Sequence, residues 1–296
     1  MPTARIVWVD GRLVPEGEAT VSVFDHGVLY GDGVFEGIRY YNGRVFKLAT
    51  HLKRLDASAR SIRLKPTYSQ DEMAAAIRAT IEANGMADGY LRVCMTRGSG
   101  PLGLNPFLCE KPCTFIICAG IKLYPEEIYR NGMSVITAAT IRNHPAALSP
   151  RVKSLNYLNN IMAKIEAIDA GAHEAVMLNH HGYVAECTAD NLFIVRGTQA
   201  GPAIVTPPLH AGALEGVTRN EIMRLARDAG YTVLEQDLTR HDLFVADEMF
   251  LTGSAAEVIA ATLVDGRTVG NGKPGPITND LIARFHALVA ENAPED

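Results

Sequence analysis

A lysine and a tyrosine four residues apart are the first residues of this 296-residue chain whose types suggest chemistry. Lys153 and Tyr157 lie in the segment Ser149–Asn160, where Pro150 marks a loop and an apolar run with helical spacing follows. The spacing predicts that both side chains share one helix face. A lysine amine can form a Schiff base with a carbonyl cofactor, and a neighbouring phenol can hydrogen-bond the cofactor ring oxygen. On these residues alone, a solvated lysine is the commoner case.

Two later segments, Gly182–Val195 and Leu214–Glu221, carry an acidic residue and a predicted helix start. Glu186 interrupts a strand pattern, where an acid is disfavoured, so it either faces solvent or has a specific partner. Thr218 stands three residues before Glu221, which is capping-box spacing at the start of a helix. A helix N-terminus favours an anion such as phosphate, and the alternative is that Thr218 only caps its helix.

Together these motifs resemble the class IV, fold-type IV, pyridoxal phosphate enzymes, and most closely the branched-chain amino acid aminotransferases. The resemblance extends from about residue 5 to about residue 290. It implies that Lys153 holds pyridoxal 5'-phosphate and is the catalytic residue, moving a proton between the substrate Cα and the cofactor C4′. It also implies a ping-pong transfer of the amino group between leucine, isoleucine or valine and 2-oxoglutarate.

The resemblance assigns the remaining cofactor contacts residue by residue. The implied cofactor-binding set is Arg54, Lys153, Tyr157, Glu186, Leu214, Val217, Thr218 and Ser254. Glu186 is expected at the pyridine nitrogen, Tyr157 at the ring oxygen and Leu214 against the ring. The expected phosphate contacts are Arg54, in an H-x-x-R-L stretch, together with Val217, Thr218 and Ser254.

Substrate residues are likewise implied by the resemblance. The expected set is Tyr30, Phe35, Arg39, Arg92 and Ala255. Phe35 and Arg39 follow the branched-chain pattern, since D-amino acid aminotransferases tend to carry tyrosine and lysine at these two positions. Arg92 matches the arginine that meets the side-chain carboxylate of glutamate. The following residues, 93–98, look closer to the D-amino acid group, so a D-amino acid or (R)-amine aminotransferase is the alternative, and an aminodeoxychorismate lyase is a weaker one.

Two other classes of protein remain open. Gly98–Gly103 matches G-x-G-x-x-G after a predicted strand, which could indicate a nicotinamide-dependent oxidoreductase. A dinucleotide site also needs a helix to open there, whereas Pro101 lies inside the loop. Within the resemblance, Gly100–Pro106 looks like an active-site loop. A cofactor-free binding protein, with Lys153 idle, is the third class.

Composition excludes several partners. The formal net charge of −5 and the absence of a long Lys/Arg run argue against nucleic acid and anionic membranes. No apolar run reaches membrane-spanning length and no signal-peptide core is visible, so the predicted location is cytoplasmic. The five cysteines are odd in number and form no C-x-x-C pair, which predicts neither a disulfide framework nor a metal site.

The elements of the first part predict an α+β unit with several hairpins, and the resemblance implies an α+β protein of fold-type IV. The expected organisation is a smaller N-terminal α+β domain over residues 1–120, an interdomain loop over 121–132, and a larger C-terminal α/β-barrel-like cofactor domain over 133–296, with the cofactor between the domains. Asn42-Gly43 predicts a hairpin turn, and Ser69 with Glu72 predicts a capped helix. The family builds its sites at a dimer interface, so the resemblance implies at least a homodimer.

Overall fold

The computed structural model describes residues 5–199 and 201–291, and their contacts form two compact units. The first unit contains the described residues up to Ile121 together with the short segment Val152–Asn156. The second unit contains Lys122–Arg151 and Tyr157–Glu291. Lys153 therefore belongs with the first unit, although the chain on both sides of its segment belongs to the second. The range predicted as an interdomain loop, 121–132, contains a helix of the second unit.

The first unit is built on an antiparallel sheet. Its strands are β1 (Ile6–Val9), β2 (Arg12–Pro15), β3 (Gly33–Tyr41), β4 (Arg44–Val45), β5 (Gly89–Thr96) and β6 (Cys113–Ala119). Their order is β2-β1-β6-β5-β3-β4. Its helices are α1 (His26–Tyr30), α2 (Leu48–Ser61) and α3 (Gln70–Asn84), with 3-10 turns at Glu16–Glu18 and Pro106–Leu108. Helices α2 and α3 bury apolar stripes against one face of the sheet.

Local signals in the first unit act as the sequence predicts. Asn42 and Gly43 both adopt positive φ values, 50° and 74°, which join β3 and β4 by the predicted tight turn. Ser69 caps α3 and exchanges hydrogen bonds with Glu72, so the predicted capping box is confirmed. Gly85 ends α3 in the left-handed conformation.

The segment around Lys153 is extended, not helical. Ser154 forms an isolated antiparallel bridge with Val34 of β3. The amide of Leu155 donates to the carbonyl of Gly33 at 2.9 Å. These backbone bonds hold the segment beside the start of β3, where helical geometry is impossible.

The predicted shared helix face of Lys153 and Tyr157 is therefore wrong. Helix α5 begins only at Leu158, and Tyr157 is its N-cap residue. The helical periodicity of the apolar residues is real, but it describes the chain after Tyr157. The pairing of the preceding residues with β3 decides where that helix starts.

The second unit is built on a mixed sheet. Its strands are β7 (Met133–Thr137), β8 (Glu174–Leu178), β9 (Val184–Cys187), β10 (Asn191–Thr198), β11 (Gly201–Thr206), β12 (Thr232–Glu235), β13 (Glu248–Gly253), β14 (Glu257–Val264) and β15 (Arg267–Thr268). The order is β12-β11-β10-β13-β14-β7-β8-β9, and β15 pairs with β14. The pairs β11–β12, β14–β7 and β7–β8 are parallel. The sheet buries an apolar core of mainly Val, Ile, Leu and Met residues.

Helices of the second unit are α4 (Glu126–Asn131), α5 (Leu158–Asp169), α6 (Val217–Asp228), α7 (Arg240–Phe244) and α8 (Pro276–Ala290), with a 3-10 turn at Leu209–Ala211. Helix α6 starts earlier than predicted. Gly216 is its N-cap residue and no side chain caps the helix, so the predicted capping box of Thr218 is wrong. Thr218 instead lies inside the first turn, with its side chain buried. None of the helices in residues 5–199 and 201–291 has the length and apolarity that a bilayer span requires.

Candidate active site

Lys153 has a fixed backbone and an amine above an aromatic ring. Its N–H donates to Oγ of Ser58 on α2 at 3.1 Å, and its carbonyl accepts from the N–H of Phe35 at 3.0 Å. Its Nζ lies 4.6 Å from the centroid of the Phe35 ring. The lysine is half-buried. A primary amine held in this way meets the first requirement of a nucleophilic lysine, which is a defined position beside an apolar surface.

Alternation along β3 explains which predicted substrate residues meet Lys153. Phe35, Gly37 and Arg39 share one face of the strand. Arg92 of β5 lies opposite Gly37 in the register and so shares that face. Its guanidinium carbon is 4.5 Å from the centroid of the Phe35 ring. Phe35, Arg92 and Lys153 therefore form one group, which we call the Lys153 group, and Arg39 lies farther along the same face.

Close packing maintains this face. The Tyr90 hydroxyl, which accepts from Nη2 of Arg92 at 3.4 Å, leaves no room for a side chain at Gly37, where an added Cβ would lie 1.8 Å from it. The guanidinium of Arg39 stacks on the Tyr41 ring, with 5.1 Å from its central carbon to the ring centroid. The face thus presents two arginines beside aromatic rings, an arrangement that can bind a carboxylate.

Tyr30 ends helix α1 and contacts the glycine-rich loop. Its hydroxyl accepts from the N–H of Gly103 at 2.9 Å, within the predicted loop Gly100–Pro106. The loop leads into the 3-10 turn Pro106–Leu108 and no α-helix opens there. The glycine pattern therefore lacks the helix N-terminus that a dinucleotide site requires.

The opposite face of β3 carries a buried carboxylate that the sequence analysis did not assign. Glu36 accepts at 2.7 Å from Nε and at 2.8 Å from Nη2 of Arg54, and it binds Nδ1 of His51 at 2.7 Å. We call these three residues the Glu36 group. Arg54 and His51 are three residues apart on α2, so both reach the strand from one helix face. Their H-x-x-R spacing is the signal by which sequence reasoning could have found the group.

Charge and burial oppose each other within the Glu36 group. Burial disfavours the charged form of Glu36, but Arg54 and His51 together hold the pKa of its carboxyl well below the ordinary value. Burial lowers the pKa of His51, and the attraction of Glu36 only partly offsets this. The charges of Arg54 and Lys153 lower it further. The imidazole is therefore neutral at pH 7 and its Nδ1–H donates to Glu36. Whether Arg54 also binds a phosphate stays a prediction.

Glu186 of β9 is the centre of a second buried cluster, in the second unit. Its Oε1 accepts from Nη2 of Arg142 at 2.7 Å. Its Oε2 accepts from Nδ2 of Asn191 at 3.0 Å and from the N–H of Leu214 at 2.9 Å. The residue is 5% exposed, so the solvent-facing alternative for it is excluded. We call these four residues the Glu186 group.

The chain passes directly from the Glu186 group into the N-terminus of α6. Leu214 is two residues before the N-cap residue Gly216, and Val217 and Thr218 form the first positions of the helix. The first N–H groups of a helix have no acceptor within it. Because no side chain caps α6, these N–H groups and the helix dipole suit an anion.

Ser254 and Ala255, the other predicted contacts, lie in the turn between β13 and β14. Thr252 of β13 pairs with Asn191 of β10, so this turn follows the strand end beside the Glu186 group. Tyr157 is the N-cap residue of α5 and is half-buried. The second unit thus brings Glu186, Leu214 and the start of α6 together, with the Ser254 turn beside them.

No group of three or more His, Cys, Asp or Glu side chains that could hold a metal ion occurs in the part of the chain that the structure describes. Burial raises the pKa of the Cys94 thiol to about 12 and that of Cys113 to about 12. These thiols are therefore protonated at neutral pH and are poor nucleophiles or ligands.

Comparison with known proteins shows that the chain is similar to aminotransferases. The family model "Amino-transferase class IV" matches residues 33–264. A putative branched-chain-amino-acid aminotransferase of Methanocaldococcus jannaschii is 44% identical over 279 residues, which cover 94% of each chain. The D-alanine aminotransferase of Bacillus licheniformis is 35% identical, and the match covers 97% of this chain and 98% of that protein.

Solved structures of branched-chain amino acid aminotransferases have a similar fold. The structure from Escherichia coli superposes with a TM-score of 0.93 at 33% identity, covering 97% of this chain and 95% of that one. The structure from Thermobaculum terrenum, in its PLP form, superposes with a TM-score of 0.87 at 29% identity, covering 99% of this chain and 96% of that one. The predicted α+β, fold-type IV class is thereby confirmed. The family match also disfavours the oxidoreductase and binding-protein alternatives.

Proposed function

Since the chain belongs to the amino-transferase class IV family, we propose that it is a branched-chain-amino-acid aminotransferase that uses pyridoxal 5'-phosphate. The observation that carries the proposal is the fixed amine of Lys153 above the Phe35 ring. The amino donors are leucine, isoleucine and valine, and the acceptor is 2-oxoglutarate. The reaction is ping-pong, with one half-reaction for each substrate.

The residues of the second unit fit the proposed cofactor. A pyridine nitrogen that must stay protonated needs a buried carboxylate, and Glu186 is such a group. A phosphate needs free N–H donors, and the uncapped start of α6 provides them two residues after Leu214. The N–H of Leu214 binds Glu186, and α6 begins just after Gly216, so the carboxylate and the helix start lie near each other, which suits a small ring that carries a phosphate. Lys153 supplies the amine that the aldehyde requires.

When bound, pyridoxal 5'-phosphate supplies an electron sink that stabilises negative charge at the substrate Cα. Lys153 would hold the cofactor aldehyde, and its amine would act as the general base toward the substrate Cα proton. Glu186 would hold the proton on the ring nitrogen, and Tyr157 would hydrogen-bond the ring oxygen. Arg54, Val217, Thr218 and Ser254 would hold the phosphate, and Leu214 would pack on the ring.

Substrate choice follows from the Lys153 group. The Phe35 ring offers an apolar surface for a branched side chain, and Tyr30 and Ala255 are the further proposed substrate contacts. Arg92, stacked on that ring, binds the distal carboxylate of glutamate or 2-oxoglutarate, and Arg39 adds positive charge on the same face. A hydrophobic pocket discriminates by only about 1–3 kcal/mol per methylene, so neighbouring aliphatic amino acids are accepted more slowly.

A D-amino acid aminotransferase is the second candidate. The observation that favours it is the 35% identity to the D-alanine aminotransferase over nearly the whole chain. The two candidates differ in which enantiomer of the amino donor bleaches the cofactor absorbance. L-leucine is expected to react and D-leucine and D-alanine are not, and the opposite order would select the second candidate.

The active assembly is proposed to contain at least two copies of the chain. Helix α5 buries its small residues and leaves a row of large apolar residues 43–68% exposed, namely Leu158, Ile161, Met162, Ile165 and Ile168. A contiguous apolar row on a helix surface is typical of a face that packs against another chain. Sedimentation equilibrium is expected to give at least twice the chain mass, and Ile165→Glu is expected to lower it. The cytoplasmic location stays a prediction.

The decisive experiment is a borohydride-trapped peptide map of protein incubated with pyridoxal 5'-phosphate. A pyridoxyl adduct is expected on Lys153. Lys153→Ala is expected to lose the adduct and at least a hundredfold in amino-transfer rate, since general base catalysis contributes roughly 10²–10⁴-fold. Lys53→Ala, at an exposed position of α2, is the matched control and is expected to behave as the wild type. An adduct on another lysine would contradict the mechanism.

A further inference from the structure

Arg142 is a buried arginine to which the proposed mechanism gives no role. It lies in the loop after β7 and is 6% exposed. Each nitrogen of its guanidinium has a partner in the second unit: Nη2 binds Glu186 at 2.7 Å, Nη1 binds Oδ1 of Asn160 at 2.8 Å, and Nε binds the carbonyl of Gly212 at 3.3 Å. A guanidinium that is used on all three nitrogens has one available orientation.

The backbone that carries Arg142 is fixed as well. Its N–H donates to the carbonyl of Leu178 at 2.8 Å. On either side of it, the side chain of Asn159 donates to the carbonyl of Ile141 at 2.8 Å and accepts from the N–H of Asn143 at 3.1 Å. The loop is therefore tied to helix α5 and to the end of β8. The position of the guanidinium is set before any ligand binds.

Asn160 adds a second restraint from the same helix. Its Oδ1 accepts from Arg142, while its Nδ2 donates to the carbonyl of Thr188 at 2.7 Å. The amide is thus oriented by two partners of opposite type, which assigns its oxygen to Arg142. Asn159 holds the loop and Asn160 holds the guanidinium. Two consecutive residues of α5 therefore determine where Arg142 points.

Glu186 depends on Arg142 more than on its other partners. Asn191 and Leu214 bind Oε2 through neutral N–H groups, whereas Arg142 binds Oε1 through a cationic guanidinium. A buried carboxylate without a cationic partner is costly, and a charge-assisted hydrogen bond is stronger than a neutral one. Without Arg142, Glu186 loses its charge-assisted bond at Oε1.

We propose that Arg142 is a positioning residue, which fixes the orientation and the charge of Glu186 and through it the protonation of the cofactor ring nitrogen. This inference rests on the proposed function, because it requires a pyridine nitrogen at Glu186. Arg142 itself does not contact the reacting atoms. Substituting Arg142 should therefore change the cofactor only by way of Glu186, and it should have no such effect when the Glu186 carboxylate is absent.

The test is a double-mutant cycle on Arg142→Gln and Glu186→Gln, read by cofactor affinity and by absorbance of the bound cofactor against pH. Arg142→Gln is expected to weaken cofactor binding about 10–100-fold, the usual cost of losing a residue that orients a ligand. It is also expected to shift the spectral titration. In the Glu186→Gln background, the same substitution should change the affinity less than about twofold. Equal effects in both backgrounds would overturn the proposal.

Further variants separate positioning from simple loss of stability. Arg142→Lys keeps the charge and is expected to recover part of the affinity, because one amine cannot replace three donors. Asn160→Ala keeps Arg142 but removes one of its restraints. It is expected to shift the spectral titration of the cofactor in the same direction as Arg142→Gln, but by less. If Arg142→Gln does not fold, Asn160→Ala in both backgrounds replaces it in the cycle. The absence of a spectral shift in every folded variant would overturn the proposal.

Arg97→Gln is the matched control. Arg97 is also 6% exposed and binds Asp32 with two nitrogens, but it belongs to the first unit. It is expected to lose thermal stability without changing the cofactor spectrum. A different result would contradict the proposed function itself: the wild type would take up no pyridoxal 5'-phosphate. That result would overturn both the aminotransferase function and the positioning role of Arg142. Uptake by the wild type with an unchanged Arg142→Gln spectrum overturns only the role of Arg142.

Discussion

Each unit of the protein contains a buried glutamate bound by an arginine, but the two clusters are built differently. Glu36 is bound by two side chains of a single helix, Arg54 and His51. Glu186 is bound by an arginine from a loop, an amide from a strand and a backbone N–H. The first cluster contains only side chains, whereas the second leads into the uncapped start of α6.

This difference separates a cluster that stabilises its unit from one that is suited to a ligand. The Glu36 group neutralises its own charges, because a fully buried carboxylate meets a bidentate guanidinium. The Glu186 group provides a carboxylate, and the uncapped start of α6 that follows it provides backbone donors, so a bound molecule meets both an acceptor and donors. We therefore expect substitutions of Glu36 and His51 to change mainly stability, and substitutions in the Glu186 group to change mainly cofactor binding.

The largest expected effect is the loss of stability caused by substituting Glu36. Glu36→Gln leaves the mostly buried Arg54 without its counter-charge, and breaking a buried pair costs about 3–5 kcal/mol of the free energy of unfolding. Urea denaturation measures this loss. Glu16→Gln, which removes a surface ion pair with Arg5, is the control and should cost less than about 1 kcal/mol. A loss below about 1 kcal/mol in Glu36→Gln would mean that the Glu36 group does not stabilise the first unit.

An intermediate loss of stability and of cofactor affinity is expected when Gly216 is substituted. Its φ of −71° suits alanine, but an added Cβ would lie 2.0 Å from Oδ1 of Asn191. Gly216→Ala must therefore displace Asn191 from Glu186, and overpacking of this kind costs about 1–3 kcal/mol. Cofactor affinity should fall together with stability. Gly17→Ala, where nothing lies within 4 Å of the added atom, should change neither quantity. If Gly216→Ala leaves the cofactor affinity unchanged, the Glu186 group does not take part in cofactor binding.

The smallest expected effect concerns the titration of His51. It changes the free energy of unfolding little at neutral pH and more as the pH falls. The pKa of His51 is lowered in the folded protein, so below its ordinary value of about 6.5 the unfolded chain binds more protons. Stability is therefore lost as the pH falls through about 6.5. The lowered pKa of Glu36 acts in the same direction, but only below its ordinary value of about 4.5.

His51→Asn tests this pH dependence, because an amide can donate to Glu36 without titrating. Urea denaturation between about pH 5 and pH 7.5 should show a smaller loss of stability in the variant than in the wild type. His241→Asn, at an exposed position, should keep the wild-type slope. Equal slopes in wild type and His51→Asn would exclude a buried neutral imidazole in the Glu36 group.

Sequence reasoning succeeded where the signal is local. The turn at Asn42-Gly43 and the capping box at Ser69 depend on backbone geometry within four residues, and both are confirmed. It was wrong for Lys153 and Thr218, where local spacing suggested a shared helix face and a cap. In both cases a contact with a distant strand or side chain outweighs the local preference: Ser154 pairs with β3, and Gly216 packs against Asn191.

The sequence by itself determined the candidate site residues and their order in the chain: the amine of Lys153, the carboxylate of Glu186 and the H-x-x-R stretch that contains Arg54. Only the tertiary structure decided what binds them. Arg142 is 44 residues from Glu186 in the chain, and Leu214 is 28 residues from it. Periodicity and capping signals act over about one helix turn, so they contain no information about such partners. Those hydrogen bonds form because sheet packing brings separate segments to one buried point, where an uncompensated charge would be costly.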